Sequence, residues 1–240
     1  ENLPQRPPNM YNIVERNRGD YAHMGAPMTP RPLDAPAFQR EMQSEALVID
    51  TRTSHAFGEG HIPGALHVDL HGSAFPTRVG FVAPPDSRLL LVVRDEHDLR
   101  EAVTQLAVVG YDQVTGYLAG GMAAWQEAEL AMQTLNSLSV EQLESLRHDL
   151  HVLDVRDQSE WDEGHIKGAQ HVPYYFIEQR LQERPDELEH YIDQPLAVVC
   201  GSGQRSAIAC SILQRHGFAQ LFNVVGGMDA WHEEGFETVN

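Results

Sequence analysis

Short apolar runs alternate with longer stretches of helical period along most of this chain. In its second half HVLDV (151–155), QHVPY (170–174), PLAVVC (195–200) and LFNVV (221–225) are brief, rich in Val and Leu, and bounded by glycine or polar turns. Runs of that kind predict strands buried on both faces, as parallel strands are. Between them SVEQLESLR (139–147), the polar stretch around FIEQRLQ (176–182) and SAIACSILQRH (206–216) predict helices. The first opens on Ser139 with Gln142 three residues later, a capping-box pattern. The last ends on Arg215 and His216 with Gly217 behind them, which suits a helix C-terminus followed by a left-handed glycine. Strand and helix in alternation predict an α/β fold, an open and mainly parallel sheet with helices on both faces. Ligands of such sheets bind beyond the carboxyl ends of the strands.

The pattern occurs twice. In LVIDTRTSHAFGEGHIPGALHVDL (47–70) the residues Asp50, Arg52, Gly60, His61, Ile62, Gly64, Ala65 and His67 stand 104 positions ahead of their counterparts in HVLDVRDQSEWDEGHIKGAQHVPY (151–174). Those counterparts are Asp154, Arg156, Gly164, His165, Ile166, Gly168, Ala169 and His171. GGMAAW (120–125) likewise returns as GGMDAW (226–231), 106 positions later. Two homologous domains in tandem follow, predicted over 31–132 and 133–240. Residues 1–30 hold five of the 14 prolines and few apolar residues at any regular period, which suits an extended linker or strap.

At 240 residues and 42% apolar content the chain has room for two domains of about 100 residues each. The formal charge of −18, with Lys167 the only lysine, repels phosphate backbones and anionic lipid, so neither nucleic acid nor a membrane is an expected partner. Two cysteines ten residues apart make no disulfide framework, no metal-type Cys/His cluster accompanies them, and a reducing compartment is the simpler reading. The sequence given has no charged-then-apolar leader and no apolar run approaching the roughly 18 residues of a membrane span, so a cytoplasmic location is expected.

Both cysteines fall in LAVVCGSGQRSAIAC (196–210). Cys200 closes a predicted strand, and a glycine-rich loop leads from it to a helix expected to begin near Ser206. Two glycines let successive N–H groups turn inward as an anion-holding nest, the helix N-terminus adds partial positive charge, and Arg205 adds a full one. A thiolate there is a nucleophile held by the donors that would also hold the terminal sulfur of a persulfide. A glycine turn between strand and helix is often only a turn; the cysteine before it and the arginine after it are what distinguish this one. Cys210, among Ile208, Ile212 and Leu213, reads as helix packing. His61 and His165 recur in both copies, including the one without the cysteine, and read as structure, as do Trp125 and Trp231.

Asp154-x-Arg156, the GHIKGA turn, the run Cys200 to Ser206 and GGMDAW together resemble the rhodanese superfamily of sulfurtransferases, over nearly the whole second domain. The resemblance implies that Cys200 accepts sulfane sulfur from thiosulfate or a small-molecule persulfide and passes it to a thiol or cyanide. It further implies that Gly201, Ser202, Gly203, Gln204, Arg205 and Ser206 form the substrate cradle, with Asp154 and Arg156 as supports and no cofactor or metal in this chain. The first copy departs where it matters. Arg94 takes the nucleophile's place, and the loop becomes RDEHDLRE, with four acidic residues and no glycine. That copy is expected to be inactive, a candidate for orienting the active domain, binding a partner or shaping its cleft.

Two alternatives stand beside this reading. Phosphatases and arsenate reductases of the Cdc25 type resemble the same superfamily but place five residues between cysteine and arginine; here four intervene. A non-enzymatic rhodanese scaffold is the other, opposed by the intact Cys200 and Arg205. Finally, LPQRPPNMYNIVERNRG (3–19) and AFPTRVGFVAPPDSRLLLVV (74–93) are similar to the region that follows the metallo-β-lactamase-like domain in persulfide dioxygenase–rhodanese fusions. Such a fused domain, carrying the metal motif absent from this chain, is an expected partner, and sulfide and persulfide handling the expected setting.

Overall fold

A computed structural model of the chain describes residues 6–8, 10 and 29–240. Most of the strap expected over residues 1–30 lies outside them. Two five-stranded sheets share one connectivity. The first contains β1 (Arg31–Leu33), β2 (Leu47–Asp50), β3 (Leu66–His67), β4 (Leu89–Val92) and β5 (Val114–Leu118), in the order β1-β5-β4-β2-β3. The second contains β6 (Asn136–Leu138), β7 (His151–Asp154), β8 (Gln170–His171), β9 (Leu196–Val199) and β10 (Leu221–Val224), in the order β6-β10-β9-β7-β8. Every pairing in both is parallel. The helices of the first half are α1 (Ala35–Met42), α2 (Ser54–Glu59), α3 (Phe75–Val82), α4 (Glu96–Val108) and α5 (Gly121–Glu127). Those of the second are α6 (Val140–Leu146), α7 (Gln158–Glu163), α8 (Ile177–Glu183), α9 (Gln204–Arg215) and α10 (Gly227–Glu233). The described residues form two compact units: one runs to Ala56 and resumes over Ala65–Met132, the other holds Phe57–Gly64 with Gln133–Asn240.

The predicted α/β class holds, and in the second unit its reasons are visible. All four residues of β9 are buried, so the strand is apolar throughout rather than alternating. Ala197 and Val199 join Leu143, Val152, Met228 and Trp231 in one cluster, while α9 packs on β9 and β10 with seven apolar or small residues from Ala207 to Leu213 buried in succession. The capping box forms: the Ser139 amide donates to Gln142 Oε1 at 2.9 Å, and the Gln142 amide donates to Ser139 Oγ at 3.3 Å. Gly217 has φ +89°, the left-handed conformation expected behind α9. Two elements differ from expectation. Of QHVPY (170–174) only Gln170–His171 is strand, since Pro173 has no N–H to continue the ladder and a tight turn starts at Tyr174. α9 begins at Gln204, two residues ahead of Ser206, because Gly203 at φ +94° already turns the chain into the helix as its N-cap.

The recurring histidines are joints of the fold. The His61 ring stacks on Phe57 with centroids 3.7 Å apart, its Nδ1 lying 2.8 Å from Phe57 O. His165 repeats this on Trp161, at 3.5 Å for the rings and 3.2 Å to Trp161 O. Each also pairs antiparallel through its backbone, His61 with Gln133 and His165 with Val239. Trp125 and Trp231 are buried, and their indole N–H groups donate to Ala131 O and Glu237 O. Among the described residues no helix is long and apolar enough to cross a membrane.

Candidate active site

Cys200 follows the last residue of β9, the middle strand of its sheet, with β10, which carries Asn223, on one side and β7 on the other. Its thiol is buried, only 1% exposed. The Gly203 amide donates to Cys200 Sγ at 3.1 Å. Ser206 Oγ lies 3.4 Å from the same sulfur and donates to Asn223 Oδ1 at 2.6 Å. With its proton committed to Asn223, the Ser206 hydroxyl can accept from a thiol S–H; turned toward Cys200, it can donate to a thiolate instead. Asn223 is a buried polar residue inside the apolar run LFNVV, and that anomaly is the signal by which the sequence could have disclosed it.

The GGMDAW motif builds the loop from outside. The amides of Met228 and Asp229 in the first turn of α10 donate to Cys200 O at 2.7 Å and Gly201 O at 2.9 Å. With these two carbonyls held there, the Gly203 amide is the loop N–H that reaches the sulfur. Gly227, at φ +55°, lies so close that a Cβ on it would stand 2.5 Å from Gly201 O and would overlap Cys200 O. Only glycine fits both that conformation and that approach.

Of the predicted cradle residues, Gly203 and Ser206 touch the sulfur, Gly201 anchors the loop through its carbonyl, and Gln204 opens α9. Ser202 is exposed at the loop tip. Arg205 differs most from expectation: it does not stand as a free positive charge beside the sulfur. Its Nη1 and Nη2 donate to Glu160 Oε2 and Oε1 at 2.5 and 2.7 Å, and Nη1 lies 3.4 Å from Asp157 Oδ2. Burial works against the Arg205 charge, but the bond to Glu160, the Cys200 sulfur and Asp157 outweigh it and raise its pKa further. Burial likewise opposes ionisation of Glu160, and Arg205 with the Asp157 amide, which donates at 3.1 Å, holds that carboxyl below its ordinary range. Tyr175 completes the cluster, its hydroxyl donating to Asp157 Oδ1 at 2.7 Å; burial first, then this bond, pushes the phenol up. Glu160, Asp157 and Tyr175 escaped sequence reasoning because they lie 30 to 48 residues from Arg205 and meet it only through the sheet.

Asp154 and Arg156 form a pair of their own. Arg156 Nε and Nη2 donate to the Asp154 carboxylate at 2.7 to 3.0 Å, and Nη2 also donates to Gly164 O at 2.8 Å, so the pair fixes the GHI turn. Neither side chain bonds to the cradle; Asp154 neighbours it only as the residue paired with Val199. Asp50 and Arg52 repeat the arrangement at 2.6 to 3.2 Å. Cys210 is fully buried, and burial pushes its thiol up, as befits a packing residue.

The first copy has the same frame and a different loop. Arg94 pairs with Asp95 at 3.0 Å and with Asp98 at 3.0 Å, and Asp98 also meets His71 at 3.1 Å. Asp95 is the N-cap of α4, accepting from the Asp98 amide at 2.9 Å. That bond and Arg94 hold the Asp95 carboxyl below its ordinary range. A carboxylate of the chain itself thus occupies the helix N-terminus. Asp95, His97 and Asp98 lie within 4.8 Å of one another, with Arg94 as counter-charge to both aspartates. Gly121, the counterpart of Gly227, would bring a Cβ no nearer than 3.8 Å to Val93 O, so α5 does not grip this loop as α10 grips its own.

Both halves of the chain match one domain family. The rhodanese-like domain matches residues 34–128 and again 139–234. The thiosulfate sulfurtransferase GlpE of Shewanella oneidensis is 32% identical over 109 residues, covering 42% of this chain and 97% of that protein. A sulfurtransferase of Allochromatium vinosum is 30% identical over 105 residues, 44% of this chain and 92% of that protein. The putative sulfur carrier protein YrkF of Bacillus subtilis is 38% identical over 82 residues, 34% of this chain, and the match spans only 41% of YrkF. Among solved structures, a rhodanese-related protein from Thermoplasma volcanium is 33% identical, covering 43% of this chain and 97% of that one with a TM-score of 0.38. Two matches in tandem, over most of the chain, place it in the rhodanese-like domain family.

Proposed function

We propose that this protein is a sulfurtransferase that carries sulfane sulfur on Cys200, taking it from thiosulfate or a small-molecule persulfide and giving it to a thiol or cyanide. The observation that carries this reading is the Gly203 amide aimed at Cys200 Sγ at 3.1 Å, in a loop whose carbonyls are held outward by α10. The Cys200 thiolate attacks the outer sulfur of the donor and forms a new S–S bond. The donor's own bond to that sulfur breaks, its electron pair leaving with sulfite or with the carrier thiolate. The acceptor then attacks the outer sulfur of the Cys200 persulfide, and the Cys200 thiolate is regenerated. Loop N–H groups and the helix terminus stabilise sulfur anions at both stages. Four residues between Cys200 and Arg205, rather than five, favour a single sulfur atom over a tetrahedral oxyanion. The first copy, with Arg94 for the cysteine, takes no part in transfer. The similarity of residues 3–19 and 74–93 to persulfide dioxygenase fusions supports persulfide metabolism as the setting, with a metallo-β-lactamase-like domain as fused partner.

Intact-protein mass spectrometry after donor treatment tests the chemistry. The mass of one added sulfur is expected on the wild type, reversed by a thiol acceptor, and absent from Cys200→Ser. Equal gain in Cys200→Ser would overturn the reading, as would hydrolysis of a small aryl phosphate that is lost in that variant.

A further inference from the structure

Two carboxylates and one guanidinium surround Gly201, next to Cys200, and a third carboxylate, Asp157, stands against that guanidinium. A Cβ built on Gly201, the residue after the nucleophile, would lie 3.2 Å from Arg205 Nη2, 3.8 Å from Glu160 Oε1 and 3.8 Å from Asp229 Oδ2. Arg205 already has both terminal nitrogens on Glu160 and shares one with Asp157. Glu160 is held ionised by that arrangement. Arg205 is therefore matched by Glu160, and Asp157 and Asp229 leave the rim negative. An anion entering here meets repulsion and finds the guanidinium taken, whereas a cationic carrier meets attraction.

We propose that Glu160 sets donor specificity, turning the site away from dianionic thiosulfate and toward a persulfide whose carrier bears a positive charge, such as the ammonium of an aminothiol. This rests on the reading of Cys200 as the sulfur acceptor. In the favoured reaction the Cys200 thiolate attacks the outer sulfur of R–S–SH, the donor's S–S bond breaks, R–S⁻ leaves with the electron pair, and the proton stays on the outer sulfur now held by Cys200. The ammonium group of R–S⁻ stays at the acidic rim. No oxidant or reductant is required.

The test is the rate of Cys200 persulfide formation in the full chain, by quenched-flow mass spectrometry. The donors are cysteamine persulfide, 2-hydroxyethyl persulfide, 3-mercaptopropionate persulfide and thiosulfate. Each rate is divided by the rate of the same donor with free cysteine. The normalised rates are expected to fall in that order, by about tenfold or more across the series. Glu160→Gln should raise the thiosulfate rate and lower the cysteamine persulfide rate, each by about threefold. Asp229→Asn, on an exposed side chain, should shift both in the same directions by less. Raising salt on the wild type should speed thiosulfate and slow cysteamine persulfide, a readout that needs no substitution. Donor order independent of charge, together with equal salt effects on all four, would overturn the proposal. If no donor loads Cys200, the sulfur-acceptor reading falls, and this inference with it.

Discussion

Cys200 and Cys210 are both buried and ten residues apart, and their neighbours alone separate their roles. One faces an amide and a hydroxyl, the other lies inside α9 among Ile208, Ile212 and Leu213. The Arg205–Glu160 pair is a second residue-scale feature with a measurable signature. Because Glu160 is held below its unfolded value, near about 4.3, the pair stabilises the fold above that value and the contribution is lost as pH falls through the lower folded one. Glu160→Gln is therefore expected to lower the urea midpoint at about pH 7, with the difference from wild type closing toward about pH 3. A difference that persists at the acid end would mean that packing, not charge, holds the pair. The loop's candidates, Cys200, Arg205 and the glycines, were legible because thiol, cation and turn sit within seven residues. Glu160 and Asn223 were not, because partners on other elements leave no local pattern.

At the scale of elements, the buried strands and the helices were legible from apolar runs and capping residues, and the structure moved boundaries by a residue or two except in QHVPY, where the strand stops at His171. The edge strands β1 and β6 were not. RPL and NSL are three residues each with two exposed, so they show neither an apolar run nor a full alternation. GGMDAW was legible as a signature but not as a device: its grip on the Cys200 loop depends on two N–H donors and one glycine approaching another backbone. Gly227→Ala should therefore displace that loop and cut Cys200 persulfide formation by about tenfold or more, since the added methyl meets backbone that cannot step aside. Gly121→Ala, whose Cβ at the same position of the first copy would make only an ordinary contact with Val93 O at 3.8 Å, should cost only the left-handed strain, about 1 kcal/mol. Comparing their urea midpoints and Cys200 loading checks both; equal effects on loading would sink the assigned role of α10.

For the whole molecule, the repeat carried most of the information. It gave two domains with one fold, and the comparison of VVC with VVR marked which copy lost its cysteine. What it could not give was the fate of the vacated loop. Restoring the nucleophile alone is not expected to restore chemistry there: Arg94→Cys in a Cys200→Ser background should take up no sulfur from persulfide or thiosulfate, by mass spectrometry. Uptake would show that a cysteine suffices. The reason lies in Asp95, which caps α4 where the second copy keeps a glycine and an open helix end. A ligand built into the chain is present at its site at an effective concentration that free anions at millimolar levels do not match. In the first domain the place that an uncapped helix end would offer to a free anion is thus filled by the chain itself.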